Sequence, residues 1–353
     1  MKQKVLAFDI DGVICHTLGS DYKNSKPNKK AIEKINHLYD AGNTIIIFTA
    51  RFMGRTNNNT LQAKKLGYKA QTFLKNSVGE DSGLVGVILP YITNRFYPEV
   101  LTELHEALRL RGYRILLITT DDSEELDEKL IQPYLKEKLI AIITATKPTY
   151  EFVESCNEQK IQVIAYNRNY EIPTISSVSC DNRSGGEAVA NYFQNQDHKT
   201  VGLIEGIKGS FVSDERCRGF KNYIKNNTSI KLAVEKGNFT YEGGIDSAEK
   251  ILKNSNISAI FCADDTMAFG CIDYIKKETK LRIPNQIEIV GYDDMIMANW
   301  NSYSLSTIRQ PIRQMSKLTT QLIDDYLQDP DFEPANHLIE GKFIKRKTTK
   351  NSL

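Results

Sequence analysis

From Gly83 onward the chain repeats one pattern: a short run of Val, Ile and Leu, a polar loop, then apolar residues at helical spacing. The first copy runs from Gly83 to Pro90, loops through Tyr91 to Asn94, and enters a helix marked by Pro98, Val100, Leu101, Leu104 and Leu108, with Gly112 as its stop. Further runs follow at Arg114–Thr120, Leu139–Ala145, Ile161–Tyr166, Ile175–Cys180, Thr200–Ile204, Ala259–Ala263 and Ile287–Val290. Apolar runs without alternation read as strands covered on both faces, and so as parallel strands packed under helices. The pattern predicts an α/β class fold, with two doubly wound lobes and a cleft between them.

Composition narrows the class further. An apolar fraction of 41% with 25% charged residues is that of a soluble globular protein, and 353 residues leave room for two or three units. No run of about 18 apolar residues is present, which excludes a helical membrane span. Lys2, Lys4 and Asp9 interrupt the stretch a secretory signal would keep apolar, so a cytoplasmic location is expected. The six cysteines form no C-x-x-C pair and are expected as buried free thiols. Charge is uneven: residues 1–80 hold 13 Lys/Arg against 6 Asp/Glu, and the remainder 33 against 38. A basic head fits contact with phosphate, on a small molecule or on nucleic acid, and equally fits a lysine-rich solvated surface.

That head opens with Val5–Phe8 running into Asp9-Ile-Asp11-Gly12, and a second run, Thr44–Phe48, ends in Thr49-Ala50-Arg51. Carboxylates two apart at a strand end point the same way. These residues resemble the first two motifs of the haloacid dehalogenase (HAD) superfamily of phosphohydrolases. The resemblance implies Asp9 as nucleophile, Asp11 as general acid/base and Thr49 as a hydrogen-bond donor to the transferring phosphoryl group. It also implies Mg²⁺ held by Asp9 and the main-chain carbonyl of Asp11. The third-motif lysine and fourth-motif acidic pair are absent, leaving half a fold with too few carboxylates for the metal. A Mg²⁺-dependent phosphatase carrying a sensor domain is therefore the alternative reading rather than the leading one.

The body carries a second resemblance, in six places: Val85–Pro90 with Thr93–Tyr97, Asp181–Gly186, Asp214–Phe220, Phe261–Gly270, Val290–Asp294 and Ser306–Pro311. In this order they resemble the effector-binding core of the lactose-repressor-type (LacI/GalR) transcriptional regulators. The resemblance implies the periplasmic-binding-protein type I fold, a homodimer, and a small polar effector such as a sugar, sugar acid or nucleobase, with no cofactor. Carried over residue by residue, it implies Phe96 and Tyr97 as an apolar wall, Asn167 as a hydroxyl partner, Arg216 as the charged donor, and Asp264 and Asp293 as acceptors. Other roles stay open: Arg216 paired with Glu215 or another acid, Phe96 and Tyr97 as core, and one of Asp293 and Asp294 as a structural cap.

The expected organisation is an incomplete HAD-like segment over 1–70, a linker at 71–82, and the core over 83–348. Its first lobe is expected at 83–175 plus 295–325 and its second at 176–294 plus 326–348. A helix-turn-helix head is missing, although Leu66–Lys75 resembles the last helix end and hinge entry of one. DNA binding, which the family implies, is then expected only through the basic stretch from Arg51 to Lys75. A solute-binding protein for a transporter remains a third reading, one that needs a signal peptide.

Overall fold

The computed structural model describes residues 5–9, 15–16, 26–27, 29–40 and 44–48, and then 83–350 apart from 91–95, 121–124, 135–136, 171, 255 and 330–331. It divides at Ser82 into two compact units. In the first, β1 (Val5–Asp9) pairs in parallel with β4 (Thr44–Phe48), from Val5 opposite Thr44 to Asp9 opposite Phe48. Between them in sequence lie the short antiparallel pair β2 (Cys15–His16) and β3 (Lys26–Pro27), and α1 (Lys29–Asp40), which packs on β4. Asp9 is thus the last residue of β1, while Asp11 and Thr49 lie outside the described residues, as does the Arg51–Lys75 stretch.

The second unit, Gly83–Leu353, contains two six-stranded sheets. Leading into the first are β5 (Leu84–Pro90), α2 (Phe96–Arg109), β6 (Arg114–Thr120), α3 (Glu128–Ile131), β7 (Leu139–Thr144), α4 (Tyr150–Glu158), β8 (Gln162–Tyr166) and β9 (Ser176–Cys180). The chain then crosses to α5 (Asn182–Asn195), β10 (Thr200–Glu205), α6 (Phe211–Asn227), β11 (Lys231–Lys236), α7 (Tyr241–Asn254), β12 (Ala259–Cys262), α8 (Asp265–Glu278), β13 (Glu288–Asp293) and β14 (Ser306–Arg309). It returns with α9 (Ile312–Gln328) and β15 (Asn336–Ile339), and crosses once more to β16 (Lys342–Ile344).

The sheet orders are β15-β9-β8-β7-β5-β6 and β11-β10-β12-β13-β14-β16, parallel except for β16. In each lobe the first strand lies between the second and third, so the winding reverses beside it. Ligands bind at such a reversal, outside the carboxyl ends of the strands. Strands β8, β9, β12 and β13 are buried along their whole length, the polar Gln162, Glu288 and Asp293 included.

Lobe membership corrects the sequence-based division at three strands. Ser176–Cys180 was expected in the second lobe but pairs with β8, and Ser306–Arg309 was expected in the first but pairs with β13. Asn336–Ile339 was expected in the second lobe but returns to β9 in the first, whereas the last strand, Lys342–Ile344, pairs with β14 in the second, as expected. The reason is hydrogen bonding. A buried strand must find backbone partners, and its own sequence does not say which sheet supplies them. The three crossings therefore fall after Cys180, after Arg309 and after Ile339, and two of them meet where the Asp181 N–H donates to the Ile339 carbonyl.

Close helix packing sets up the site. A Cβ at Gly186 in α5 would overlap the Arg216 carbonyl oxygen, and one at Gly219 in α6 would overlap that of Arg183. Only glycine lets these two backbones come together, and their contact places Arg216 beside Asn182 at the mouth of the second sheet. No described helix is long and apolar enough to cross a membrane.

Candidate functional site: a cleft between two strand-end faces

The carboxyl ends of both sheets enclose a cavity of about 560 Å³. Phe96, Tyr97, Asn167, Arg216, Asp264 and Asp293 all line it, so the structure brings together the six positions that the sequence singled out in the body. Each has a local cause. Phe96 and Tyr97 open α2 and meet edge to face, ring centroids 5.7 Å apart. They also belong to the buried core, so wall and core are one role here. Asn167 directly follows β8 with φ 59° and Asp293 ends β13 with φ 116°, left-handed conformations that turn each chain abruptly at the cleft. Asp264 caps α8, its Oδ1 accepting from the Met267 N–H at 2.8 Å.

Arg216 is the best-anchored group in the cavity and is 2% exposed. Its Nε donates to Asn182 Oδ1 at 2.8 Å, its Nη1 to the Ala263 carbonyl at 2.7 Å, and its Nη2 meets Asp293 Oδ1 at 2.8 Å. The guanidinium also stacks 3.8 Å above the Tyr292 ring. Its acid partner is therefore Asp293; Glu215 pairs instead with Arg218 at 2.7 Å. Burial pushes the Asp293 carboxyl upward, against the pull of Arg216 and of Gln310, whose Nε2 donates to the same Oδ1 at 2.7 Å. Asp294 plays the structural part, paired with Arg309 at 2.5 Å and Arg346 at 2.6 Å.

Asp264 has no such cation of its own. Burial, and then the charge of Asp293, push its carboxyl up to about 7. Its Oδ2 is buried without a hydrogen-bond partner, and so are Asn167 Oδ1 and Gln310 Oε1. Buried acceptors without donors are costly to leave in a folded protein, and three around one cavity indicate that something else completes them. Sequence reasoning missed Gln310, although it lies inside a quoted motif, and also Phe239. The latter lines the cavity from the second lobe with φ 59°, following Asn238 at φ 54°. Two consecutive left-handed residues, one of them aromatic, leave no signal in the sequence.

One hydrogen-bonded line was not foreseen. Ser258 Oγ lies 2.8 Å from His198 Nδ1, and His198 Nε2 lies 3.1 Å from Glu288 Oε1. It occupies the amino ends of β12 and β13, and none of the three residues lines the cavity. Glu288 also accepts from Tyr192 Oη and the Lys350 N–H, so the line fastens the chain's final segment. No group of three or more His, Cys, Asp or Glu suited to a metal occurs among the described residues.

Known proteins share this fold. The family described as "Periplasmic binding protein domain" matches residues 85–331. The ribose operon repressor of Halalkalibacterium halodurans is 28% identical over 300 residues, covering 82% of this chain and 87% of that protein. The probable HTH-type transcriptional repressor ExuR of Bacillus subtilis is 24% identical, covering 82% and 87%. Among solved structures, a LacI family transcriptional regulator from Enterococcus faecium with bound ribose superposes with TM-score 0.68 at 22% identity, over 75% of this chain and 98% of that one. A periplasmic binding protein/LacI transcriptional regulator from Alkaliphilus metalliredigens complexed with D-xylulofuranose gives 0.68 at 22% identity, over 76% and 100%. With two parallel lobes around a cleft that gathers the motif residues, the chain belongs to the periplasmic binding protein domain family, in the form that LacI-type, ligand-responsive transcriptional regulators use as their effector-binding core.

Proposed function

We propose that the effector is a neutral sugar, bound by hydroxyl donation in the cleft. The observation that carries this is the trio of unpartnered buried acceptors, Asn167 Oδ1, Asp264 Oδ2 and Gln310 Oε1, around a cavity walled by Phe96, Tyr97 and Phe239. A ligand that satisfies them supplies several donors and an apolar face, which a sugar ring does. Charge selects among sugars. Arg216 is neutralised by Asp293, which leaves Asp264 as an uncompensated acid deep in the site. A sugar acid would place its carboxylate against that charge, so the neutral sugar is preferred over the acid and over a nucleobase, which has fewer donors. The ribose and D-xylulofuranose carried by two proteins of this fold fit the same description.

A thermal-shift panel of D-ribose, D-xylulose, cellobiose, D-galacturonate and hypoxanthine tests this. A neutral sugar is expected to raise the melting temperature; a shift from galacturonate or hypoxanthine alone overturns the reading.

DNA binding is the second part of the proposal. Eighty-two per cent of 353 residues is about 289, whereas residues 83–353 number 271, so the likeness to the ribose operon repressor extends upstream of Gly83. This supports reading Leu66–Lys75 as the tail of a DNA-reading head on a cytoplasmic, dimeric regulator. Salt-sensitive retention of operator-length DNA is expected, and to be lost when residues 1–80 are deleted; retention that survives the deletion refutes it. A phosphatase acting through Asp9, Asp11, Thr49 and Mg²⁺ is the alternative reading of the first unit, and no Asp9-dependent activity is expected from it.

A further inference from the structure

After β13 the chain makes a short turn in which each residue is held by a different element. Asp293 takes bonds from Arg216 and Gln310 in the cavity, and Asp294 pairs with Arg309 and Arg346. The Met295 N–H donates to Asp265 Oδ2 at 2.8 Å. The Ile296 N–H donates to Glu99 Oε1, also at 2.8 Å. Glu99 belongs to the other lobe, on the first turn of α2, the turn whose Phe96 and Tyr97 line the cavity. Four residues thus lead from the floor of the site to a hydrogen bond between lobes.

An acid on the first turn of α2 suits the amino end of that helix, but Glu99 also reaches across to the other lobe with its carboxylate. It is partly buried, and burial together with the charges of Asp294 and Asp293 pushes its carboxyl upward. What holds it there is the Ile296 backbone N–H, at the start of the 3-10 turn Ile296–Asn299.

We propose that Glu99 is a positioning residue for the effector site, fixing from the opposite lobe the turn that carries Asp293. Effector affinity and lobe closure then share one hydrogen bond. A ligand that engages Asp293, or packs on Phe96 and Tyr97, moves the groups at either end of it. The inference rests on the sugar reading only for the choice of probe.

Two variants of the full chain test it, Glu99→Ala, which removes the acceptor, and Glu99→Gln, which keeps a side-chain oxygen in place. Binding of D-ribose is measured by titration calorimetry, and the radius of gyration of the ligand-free chain by small-angle scattering. Glu99→Ala is expected to weaken binding about five- to tenfold, the scale of one ordinary, solvent-exposed hydrogen bond, and to expand the ligand-free chain. Glu99→Gln is expected to stay within about twofold in affinity, with an unchanged radius. An alanine variant that matches the wild type in either measurement overturns the proposal, as does a glutamine variant that fails with it. If the wild type does not bind ribose, the sugar reading loses support and the scattering comparison decides the role of Glu99 alone.

Discussion

Asp264→Asn, compared with the wild type across pH 6–8, tests the electrostatics of the cleft most directly. In the empty protein the carboxyl titrates near 7, raised by burial and by Asp293. A hydroxyl donating to Oδ2 favours the ionised form alone, so ligand binding expels the proton and affinity rises with pH. If the bound carboxylate returns to the ordinary range, affinity is near its limit at pH 8 and about tenfold weaker at pH 6, one unit of pKa being worth about 1.4 kcal/mol. Asparagine keeps the helix cap through its side-chain oxygen but carries no charge. It is expected to bind more weakly at pH 8 by about 1.5–3 kcal/mol, with no slope between pH 6 and 8. Calorimetry in two buffers of different ionisation enthalpy reads the released proton directly. A wild-type affinity that is flat from pH 6 to 8, or a slope that persists in the asparagine variant, refutes the assignment. The same shift acts on folding with the opposite sense. Because the folded carboxyl lies above its unfolded value, its contribution to stability is present below about pH 4 and is lost as pH rises through 7. Ligand-free Asp264→Asn is therefore expected to melt above the wild type at pH 8 and alongside it near pH 4.

Other positions give sharp expectations. Arg216→Ala strands Asp293 in the interior, so a loss of about 3–5 kcal/mol in stability is expected by chemical denaturation; Arg216→Lys should recover little of it, since one ammonium cannot reach Asn182, Ala263 and Asp293 together. Gly219→Ala drives a methyl group into the Arg183 carbonyl and is expected to cost about 1–3 kcal/mol, measured the same way. Hydrolysis of p-nitrophenyl phosphate with Mg²⁺ by the full chain is expected to be no faster than by Asp9→Asn; a rate abolished by that change would make the first unit an enzyme.

Much of the core was legible in the sequence because its signals are local. Continuous Val/Ile runs mark buried strands wherever they go, and strand ends followed by helix caps, as at Asp264, declare themselves within a few residues. Five of the six cleft positions could be named because they lie within recognisable motifs, and Asn167 because it follows the strand that ends in Tyr166. The pairing of Arg216 with Asp293 could not, since 77 positions separate them and the sequence offered Glu215 as a nearer partner. Nor could Phe239, whose backbone conformation runs against the preference of its residue type.

The sequence by itself determined the class of fold, the strand and helix alternation from Gly83 onward, and which residues stand at strand ends. Only the tertiary structure decided which sheet each late strand joins, because hydrogen-bond partners for a buried strand are supplied from across the molecule. It also decided the chemistry of the cleft. Arg216 and Asp293 neutralise each other while Asp264, buried within reach of the same charges, does not share in the pairing. That imbalance is a matter of distance and burial, and neither is written in the order of residues.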